Sequence, residues 1–417
     1  MTQTLIKNIS SLVTVNSGGR KNLSGSEMQN ISEIQDGAIL LDEKIRWVGS
    51  SKEASKLIDS DMINPEIILD YSGKTILPGF VDSHTHFIFA GDRSDEFARR
   101  LRGATYKEIA ESGGGILKTM RSTRDASIEE LINNGRNLIL SAIHHGTTTF
   151  EIKSGYAFTL ESELKMLYAI RELQNELPVK IRATFLGAHD IPPEYQNNRE
   201  KYIDILCNEM IPQVASENLA DFCDAFVDDG YYTISEAERI FTTALAHGFK
   251  LKVHADELAC VDAAQLAARM GAISADHLLC ISDEGIDALK NSSTVATLLP
   301  GTAYFIRMPY APARKLIDAG CTLALATDCN PGSCFTENMQ MILSLSVINM
   351  KMTAEEAIVA ATLNGAAAIE LSTELGSLEI GKRADFAVYD TKSYTDIFYH
   401  FGINHVKETW LSGNKFF

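Results

Sequence analysis

Eight apolar runs of strand length alternate with helical segments through the middle of the chain. They cover residues 79–84, 147–152, 181–188, 220–228, 249–254, 272–277, 294–299 and 322–328. Near-continuous apolar runs are typical of parallel strands that are buried on both faces. Eight successive βα units over about 300 residues predict an α/β fold, a (β/α)8 barrel of the TIM type. A doubly wound sheet is the alternative, although it seldom needs eight successive units.

The two ends of the chain differ from this middle part. Residues 1 to about 75 and about 375 to 417 contain short apolar strands and turn signals such as Asp36-Gly37, without helical periodicity. We therefore expect a small composite β-sandwich domain built from residues 1–75 plus 375–417. The barrel domain is expected to span residues 76–374.

The charge balance limits the partners of such a chain. The 417 residues include 38 Lys and Arg against 55 Asp and Glu, so the net charge is −17. This charge argues against nucleic acid and anionic membrane surfaces, since both need a basic protein surface. The seven Cys form no CxxC pair, no signal-peptide pattern opens the chain, and no apolar run reaches membrane-spanning length. We therefore expect a cytoplasmic protein.

Potential metal ligands stand at the carboxyl ends of the predicted strands. His84 and His86 close the first strand, His254 ends the fifth and Asp328 ends the eighth. In a barrel these strand ends converge on one mouth, where active sites lie. Three imidazoles and a carboxylate, with a further position left for water, are typical of a catalytic metal site. We predict that these four residues bind one metal ion.

Further acid–base groups lie at the same strand ends. Glu257 follows the third of those histidines and could carry protons between a water and the substrate. Its alternative role is that of a first-turn helix acid, which we assign instead to its neighbour Asp256. His277 ends strand six and could hydrogen-bond the same water or polarise a carbonyl, whereas Asp276 is expected to point away from the mouth. Asp328 is a second candidate for the base.

Longer segments around these residues resemble the amidohydrolase superfamily and, within it, the imidazolonepropionase family. The similar segments are 84–93 (HTHFIFAGDR), 151–156 (EIKSGY), 185–189 (FLGAH), 274–277 (SADH) and 327–333 (TDCNPGS). Strand four ends Asp-Ala-Phe-Val-Asp-Asp, without the carboxylated Lys of binuclear members. The resemblance therefore implies one zinc or iron ion per chain. The family usually has Gly where this chain has Ala157, which costs strain if the position requires a positive φ.

The resemblance also implies an activity. It is the hydrolysis of the cyclic amide of 4-imidazolone-5-propanoate to N-formimidoyl-L-glutamate, in histidine degradation, by a metal-activated water. The propionate tail of that substrate needs a guanidinium, and Arg93 in the first βα loop can supply it. The alternative for Arg93 is a loop salt bridge with Asp92 or Asp95. The other candidate substrate-binding residues are Tyr106, Tyr156, His189, Asn330, Gly332 and Ser333. For the last three, an ordinary Asn-Pro-Gly turn is the alternative.

Two other classes of function stay open at this point. One is another mononuclear amidohydrolase, such as a cyclic amidine deaminase, which would have no use for Arg93 as a tail-binding cation. The other is a non-catalytic scaffold, which would be expected to have lost some of the metal ligands. For the hydrolase we expect a small anionic substrate, a homodimer, and neither nucleic acid nor membrane as a partner.

Overall fold

The computed structural model describes residues 2–104, 108 and 113–417 of the chain. In this part the strands are β1 Thr4–Val13, β2 Glu33–Leu41, β3 Ile45–Ser50, β4 Ile67–Asp70, β5 Thr75–Pro78, β6 Phe80–Thr85, β7 Thr147–Lys153, β8 Lys180–Ala188, β9 Phe222–Val227, β10 Lys250–Ala255, β11 Ser274–His277, β12 Val295–Leu298, β13 Leu323–Leu325, β14 Phe386–Tyr389, β15 Val406–Leu411 and β16 Asn414–Lys415.

Helices connect most of these strands. The α-helices are Ser51–Asp59, Ser94–Leu101, Ile116–Asp125, Ile128–His144, Leu160–Glu176, Arg199–Ile205, Ile211–Ser216, Ile234–Ala246, Ala263–Met270, Asp283–Lys290, Pro300–Ile306, Ala313–Ala319, Met339–Met350, Ala354–Ala361, Leu363–Ala367 and Thr395–Tyr399. Short 3-10 turns lie at Gly25–Gln29 and Pro193–Tyr195, and a π turn lies at Leu206–Met210. Within the described residues, none of the helices has the length and apolar character needed to cross a bilayer.

Strands β6 to β13 form one parallel sheet in chain order. The sheet closes at its carboxyl end, where the amide of Asp328 donates to the carbonyl of His84 and the amide of His86 donates to the carbonyl of Cys329, each at 3.0 Å. Parallel pairing brings all eight strand ends to one rim. The (β/α)8 barrel is therefore confirmed, and the strand bounds differ from the predicted ones by a few residues. The largest difference is in β13, which ends at Leu325, so that Asp328 lies beyond the strand.

Both chain ends join in a second, mixed sheet. Its order is β16-β15-β14-β5-β1-β2-β3, with β4 paired beside β5 on β1. Side chains from distant strands, such as Ile45 on β3 and Trp410 on β15, belong to one buried cluster, so the sheet curls around a common core. Strand β5 extends this sheet past residue 75. The predicted domain boundaries themselves remain a prediction.

One element of the amino-terminal segment contradicts the expectation of strands and turns alone. Residues Ser51–Asp59 form a helix, which begins with a capping box between Ser50 and Glu53. The Ser50 side chain accepts the amide of Glu53, and the Glu53 carboxylate accepts the amide of Ser50. This reciprocal pair stabilises a short helix start independently of an apolar stripe. The sequence signal was the Ser-x-x-Glu spacing.

Candidate active site

One cavity of about 440 Å³ opens at the carboxyl rim of the barrel. All of the predicted site residues line it except two. His84 is fully buried, and its ring lies 4.5 Å from that of His254 and 5.4 Å from that of His277, centroid to centroid. Tyr106 lies outside the described residues. The remaining walls are largely apolar and aromatic: Ile116, Phe226, Tyr231, Leu258 and Ile306.

The inner end of the cavity holds a histidine cluster, by which we mean His84, His86 and His254 together with Asp328. The ligand-capable atoms of the three histidines lie within 4.8 Å of one another. Asp328 Oδ1 lies 3.5 Å from His84 Nε2 and 3.4 Å from His86 Nε2. Among the described residues, the buried Nε2 atoms of His84 and His254 have no hydrogen-bond partner. Unpartnered buried nitrogens are costly unless they bind something, so the cluster fits a metal ion.

Carboxylates orient two of these rings from behind. Asp276 Oδ2 lies 2.7 Å from His84 Nδ1, and Asp224 Oδ2 lies 2.9 Å from His254 Nδ1. The hydrogen bond to Asp276 fixes the ring of His84 and leaves its Nε2 free as a ligand, as is usual for metal-binding histidines, whereas Asp224 meets His254 Nδ1 as a close contact without hydrogen-bond geometry. The expectation that Asp276 points away from the site is therefore wrong. His277 adopts a φ of +78°, which ends the strand alternation, so that Asp276 and His277 both reach the site.

Two fully buried lysines neutralise these carboxylates. Lys153 Nζ lies 2.8 Å from Glu151 Oε1 and 2.9 Å from Asp224 Oδ2. Lys252 Nζ lies 3.5 Å from Asp276 Oδ2. Burial opposes the charge of Lys153, but the two carboxylates outweigh it and raise its pKa. The buried charges beneath the cluster are therefore paired, as burial requires.

The loop after β10 places Glu257. The Asp228 carboxylate accepts the amides of Glu257 and Leu258 at 2.8 Å each and that of Ala259 at 3.0 Å. Glu257 Oε2 then lies 3.5 Å from His277 Nδ1. Burial, Asp328 and Asp228 together raise the pKa of Glu257 well above its ordinary range. Glu257 is thus a carboxyl group that holds its proton to a higher pH than an ordinary glutamate does.

The neighbouring Asp256 has the structural role assigned to it from the sequence. Its carboxylate accepts the amides of Val261, Ala263 and Ala264 at 2.9, 3.2 and 3.0 Å. These bonds cap the start of the helix Ala263–Met270. The two adjacent acids therefore differ in function because only Glu257 faces the cavity.

The outer end of the cavity contains Arg93. Its Nε donates to Glu96 Oε2 at 2.9 Å. The alternative of a loop salt bridge with Asp92 or Asp95 is therefore wrong, because the partner of Arg93 is Glu96. Asp92 instead accepts the amide of Ser94, and Asp95 pairs with Lys118. The helix beginning at Ser94 places Glu96, three residues beyond Arg93, over the guanidinium.

The absence of a side chain at Gly332 leaves room for the guanidinium of Arg93. A Cβ at Gly332 would lie 2.3 Å from Arg93 Nη1, closer than real side-chain contacts allow. The preceding turn is internally bonded: Asn330 Oδ1 accepts the amides of Gly332 and Ser333 at 2.8 Å each, and its Nδ2 donates to the Asp328 carbonyl at 2.7 Å. Asn330 thus makes the bonds of an ordinary turn residue, although it lines the cavity.

The turn that carries Tyr156 is not strained at Ala157. Its left-handed residues are Gly155 and Phe158, with φ of +105° and +59°. Glu163 accepts the amides of Gly155, Ala157 and Phe158 at 2.8 to 2.9 Å and so fixes the turn. The departure from the usual Gly therefore leaves Tyr156 in the cavity wall.

Known proteins match almost the whole length of this chain. The model of the amidohydrolase family matches residues 215–415. The imidazolonepropionase of Alkaliphilus oremlandii is 44% identical over 98% of this chain and 96% of that protein. That of Porphyromonas gingivalis strain W83 is 46% identical, again over 98% and 96%. The chain belongs to the imidazolonepropionase family.

Solved structures support the fold of this imidazolonepropionase family member. An adenosine deaminase from Xanthomonas campestris with bound zinc has a TM-score of 0.73, with 17% identity over 99% of this chain and 92% of that one. A guanine deaminase from C. acetobutylicum with bound guanine has a TM-score of 0.69, with 16% identity over 100% of both chains. At such identities the likeness concerns the fold alone.

Several residues around the site were not predicted from the sequence. Thr302, on the helix after β12, donates to Asp328 Oδ2 at 2.5 Å. Arg100 lines the cavity two helical turns beyond Arg93. Asp224 carried a signal, because an acid within an apolar strand needs a buried partner. The sequence also contained a signal for Arg100, because residues seven apart, such as Arg93 and Arg100, share a helix face. It contained no signal for Thr302, which simply follows an apolar run.

We expect the Asp276→Asn substitution to weaken metal binding by about 10- to 100-fold, the usual effect of losing the partner of a metal-binding histidine. Asn removes the charge behind His84 and no longer fixes its tautomer. The measurement is competition for the metal against a chelator of known affinity. Asp385→Asn is the matched control, because Asp385 is also a buried carboxylate but pairs with Arg383 in the other sheet. Equal affinities in both variants would contradict a role for Asp276.

Proposed function

We propose that this chain hydrolyses the cyclic amide of 4-imidazolone-5-propanoate to N-formimidoyl-L-glutamate, the imidazolonepropionase step of histidine degradation. The observation that carries the proposal is that one cavity is lined both by residues of a metal-competent histidine cluster and by Arg93. Membership of the family supports the same reaction. We further infer a cytoplasmic homodimer, with neither nucleic acid nor membrane as a partner.

The metal in this proposal is one zinc or iron ion per chain, held by His84, His86, His254 and Asp328. Imidazole nitrogens with one carboxylate suit both metals. The unpartnered Nε2 atoms and the position of Asp328 Oδ1 support this ligand set. When bound, the ion supplies a Lewis acid that polarises the ring carbonyl and lowers the pKa of water.

Proton transfer in the proposed reaction belongs to Glu257. It accepts a proton from the attacking water and delivers it to the ring nitrogen as the carbon–nitrogen bond breaks. The water oxygen ends in the new carboxylate of the product. The raised pKa of Glu257 suits this task, because it makes the carboxylate a stronger base than an ordinary glutamate. Asp328 is the second candidate for accepting the first proton.

In the proposed reaction, His277 stabilises the ring oxygen. Burial lowers the pKa of His277 well below its ordinary value, so the neutral imidazole acts there as a hydrogen-bond donor. A donor positioned before the reaction stabilises the charge that develops on the carbonyl oxygen.

Substrate binding is assigned to the cavity walls. His189 Nδ1 lies 2.9 Å from the Gly155 carbonyl, which leaves Nε2 for the ligand, and burial lowers its pKa to about 3. Burial also raises the pKa of Tyr156, so its hydroxyl stays a donor. Ser333 and the backbone of Gly332 complete the proposed contacts near Arg93.

The test of the function is turnover of imidazolone propionate by purified protein, with elemental analysis of the same sample. We expect N-formimidoyl-glutamate as the product and no release of ammonia. Ammonia released from guanine or cytosine, without turnover of imidazolone propionate, would instead favour a deaminase. A metal-free, inactive protein would favour a scaffold.

Arg93→Met is expected to raise KM for imidazolone propionate by about 10- to 100-fold, because a charge-assisted hydrogen bond to the carboxylate is lost. Tail binding is mostly the same in the ground state and the transition state, so KM changes more than kcat. An analogue with an amide in place of the propionate provides the sharper measurement. The unchanged protein should discriminate against the amide, and Arg93→Met should discriminate much less. Equal discrimination by both proteins would reduce Arg93 to a structural partner of Glu96.

A further inference from the structure

The outer end of the cavity is an arginine end, by which we mean Arg93, Glu96, Arg100 and Gly332. Within it, Arg93 is not a free cation. Its Nε lies 2.9 Å from Glu96 Oε2, and the exposed fractions of the two side chains are only 14% and 5%. A buried pair of this kind has no net charge. By itself it offers little attraction to an anion approaching a protein of net charge −17.

Arg100 is the second guanidinium at this end. It lies on the same helix as Glu96 and lines the same cavity. Its guanidinium carbon lies 5.0 Å from the ring centroid of Phe305 and 5.7 Å from that of Phe97, and its Nη2 donates to the Gly332 carbonyl at 3.4 Å. None of these three partners carries a negative charge.

Among the described residues, the direct contacts of Arg100 hold it in place without a carboxylate partner, and the nearby charge of Glu96 offsets only part of the effect of burial and of Arg93 and Arg307 on its pKa. Phe97 and Phe305 are themselves stacked, with centroids 4.8 Å apart and an interplanar angle of 18°. Arginine stacks readily on such aromatic faces. The Gly332 carbonyl belongs to the same residue that gives Arg93 its space. Burial and the nearby charge of Arg93 lower the pKa of Arg100, a cost that a bound anion would relieve.

We propose that Arg100 supplies the net positive charge that captures the substrate carboxylate, whereas Arg93, paired with Glu96, orients it. Arg93, Glu96 and Arg100 carry two positive charges and one negative charge, a net charge of +1 that suits one carboxylate, and the nearby positive charge of Arg307 adds to it. This inference rests on the proposed function, since it names the group that recognises the anionic tail of that substrate. Glu96 then has two opposed effects. Its negative charge weakens anion binding, while its bond to Arg93 positions that guanidinium.

The first test is Arg100→Met, with kcat and KM measured for imidazolone propionate. We expect KM to rise by about ten-fold or more, the effect of one lost charge-assisted contact, with a smaller change in kcat. Arg102→Met is the matched control, because Arg102 is an exposed arginine two residues away and its loss changes the overall charge equally. Its KM should stay at the value of the unchanged protein.

The second test asks whether charge alone explains the effect. Glu96→Gln removes the negative charge and keeps an oxygen for the Gly115 amide, which Glu96 accepts at 3.2 Å. In an otherwise unchanged protein it should lower KM. In Arg100→Met it returns the net charge of the arginine end to +1 and should restore most of the lost affinity. A packing role for Arg100 predicts no such rescue.

The outcomes separate this inference from the function on which it rests. Turnover of imidazolone propionate with an unchanged KM in Arg100→Met, or without rescue by Glu96→Gln, would overturn the role of Arg100 alone. Failure of the unchanged protein to turn over the substrate would overturn the proposed function and this inference with it. A raised KM that Glu96→Gln restores would support both.

Discussion

Glu257→Gln is expected to lower kcat by about 10²–10⁴-fold while the protein keeps its metal ion, the usual effect of losing a general acid–base group. Gln has the shape of Glu and can occupy the same position 3.5 Å from His277 Nδ1, but it cannot accept or release the proton. The measurement combines steady-state kinetics with elemental analysis of the same preparation. Near-normal turnover with the metal retained would move the proton-transfer role to Asp328.

The matched control for this variant is the neighbouring acid. Asp256→Asn keeps one acceptor oxygen for the amides of Val261 and Ala263, loses the bond to the amide of Ala264, and changes no group in the cavity, so turnover should fall far less. A comparable loss in both variants would mean that the loop after β10, rather than the Glu257 carboxyl, is the sensitive feature.

The pH dependence offers a second readout of Glu257. Because burial, Asp328 and Asp228 raise its pKa, the ionised form that accepts a proton is gained only above the ordinary range of a glutamate. The acid limb of the kcat/KM profile should therefore lie at a correspondingly high pH and vanish in Glu257→Gln. Because the pKa of Glu257 is higher in the folded protein than in the unfolded chain, ionisation of this carboxyl lowers the free energy of unfolding. The loss is complete once the pH has risen through the folded pKa. Near neutral pH, metal-free Glu257→Gln protein should therefore be at least as stable as the unchanged metal-free protein.

The barrel and the convergence of the histidines could be predicted because both follow from periodicity. Eight buried runs fix the number of parallel strands, and the carboxyl ends of such strands meet at one rim. His84 and His86, two residues apart, share a face on any strand, and His254 needs only the same rim. The register of each strand was not required for this argument. Small errors in the strand bounds therefore did not affect it.

The parts that sequence reasoning missed depend on local backbone geometry. Asp276 reaches His84 because His277 leaves the strand conformation, and no residue pattern encodes that φ. Three acids stand within three residues of Arg93, and only the helix start at Ser94 decides that Glu96 is the partner. Such choices are set by a few dihedral angles, whereas periodic patterns average over many residues.

His254→Ala is expected to lose the metal ion and, with it, turnover by about 10⁴-fold or more. A Lewis acid contributes several kcal/mol to such a reaction, and each 1.36 kcal/mol is a factor of ten. Among the described residues, the buried Nε2 of His254 has no hydrogen-bond partner, and a ligand-capable atom of His254 lies within 4.8 Å of those of His84 and His86. The measurements are elemental analysis and turnover before and after dialysis against a chelator. One equivalent of metal per chain is expected in the unchanged protein.

The structure brings two overlapping sets of ligand-capable atoms together, and variants distinguish them. One set is His84, His86 and His254, and the other is His84, His277 and Asp328. We expect His277→Ala to keep the metal and lose turnover, because in the proposed reaction the His277 imidazole stabilises the ring oxygen, while its Nδ1 lies 3.5 Å from Glu257 Oε2. Asp328→Ala should weaken metal binding, since Oδ1 lies within 3.5 Å of two cluster nitrogens. Two metal ions per chain by anomalous scattering, or full metal retention in Asp328→Ala, would contradict the mononuclear site with three histidines and one aspartate.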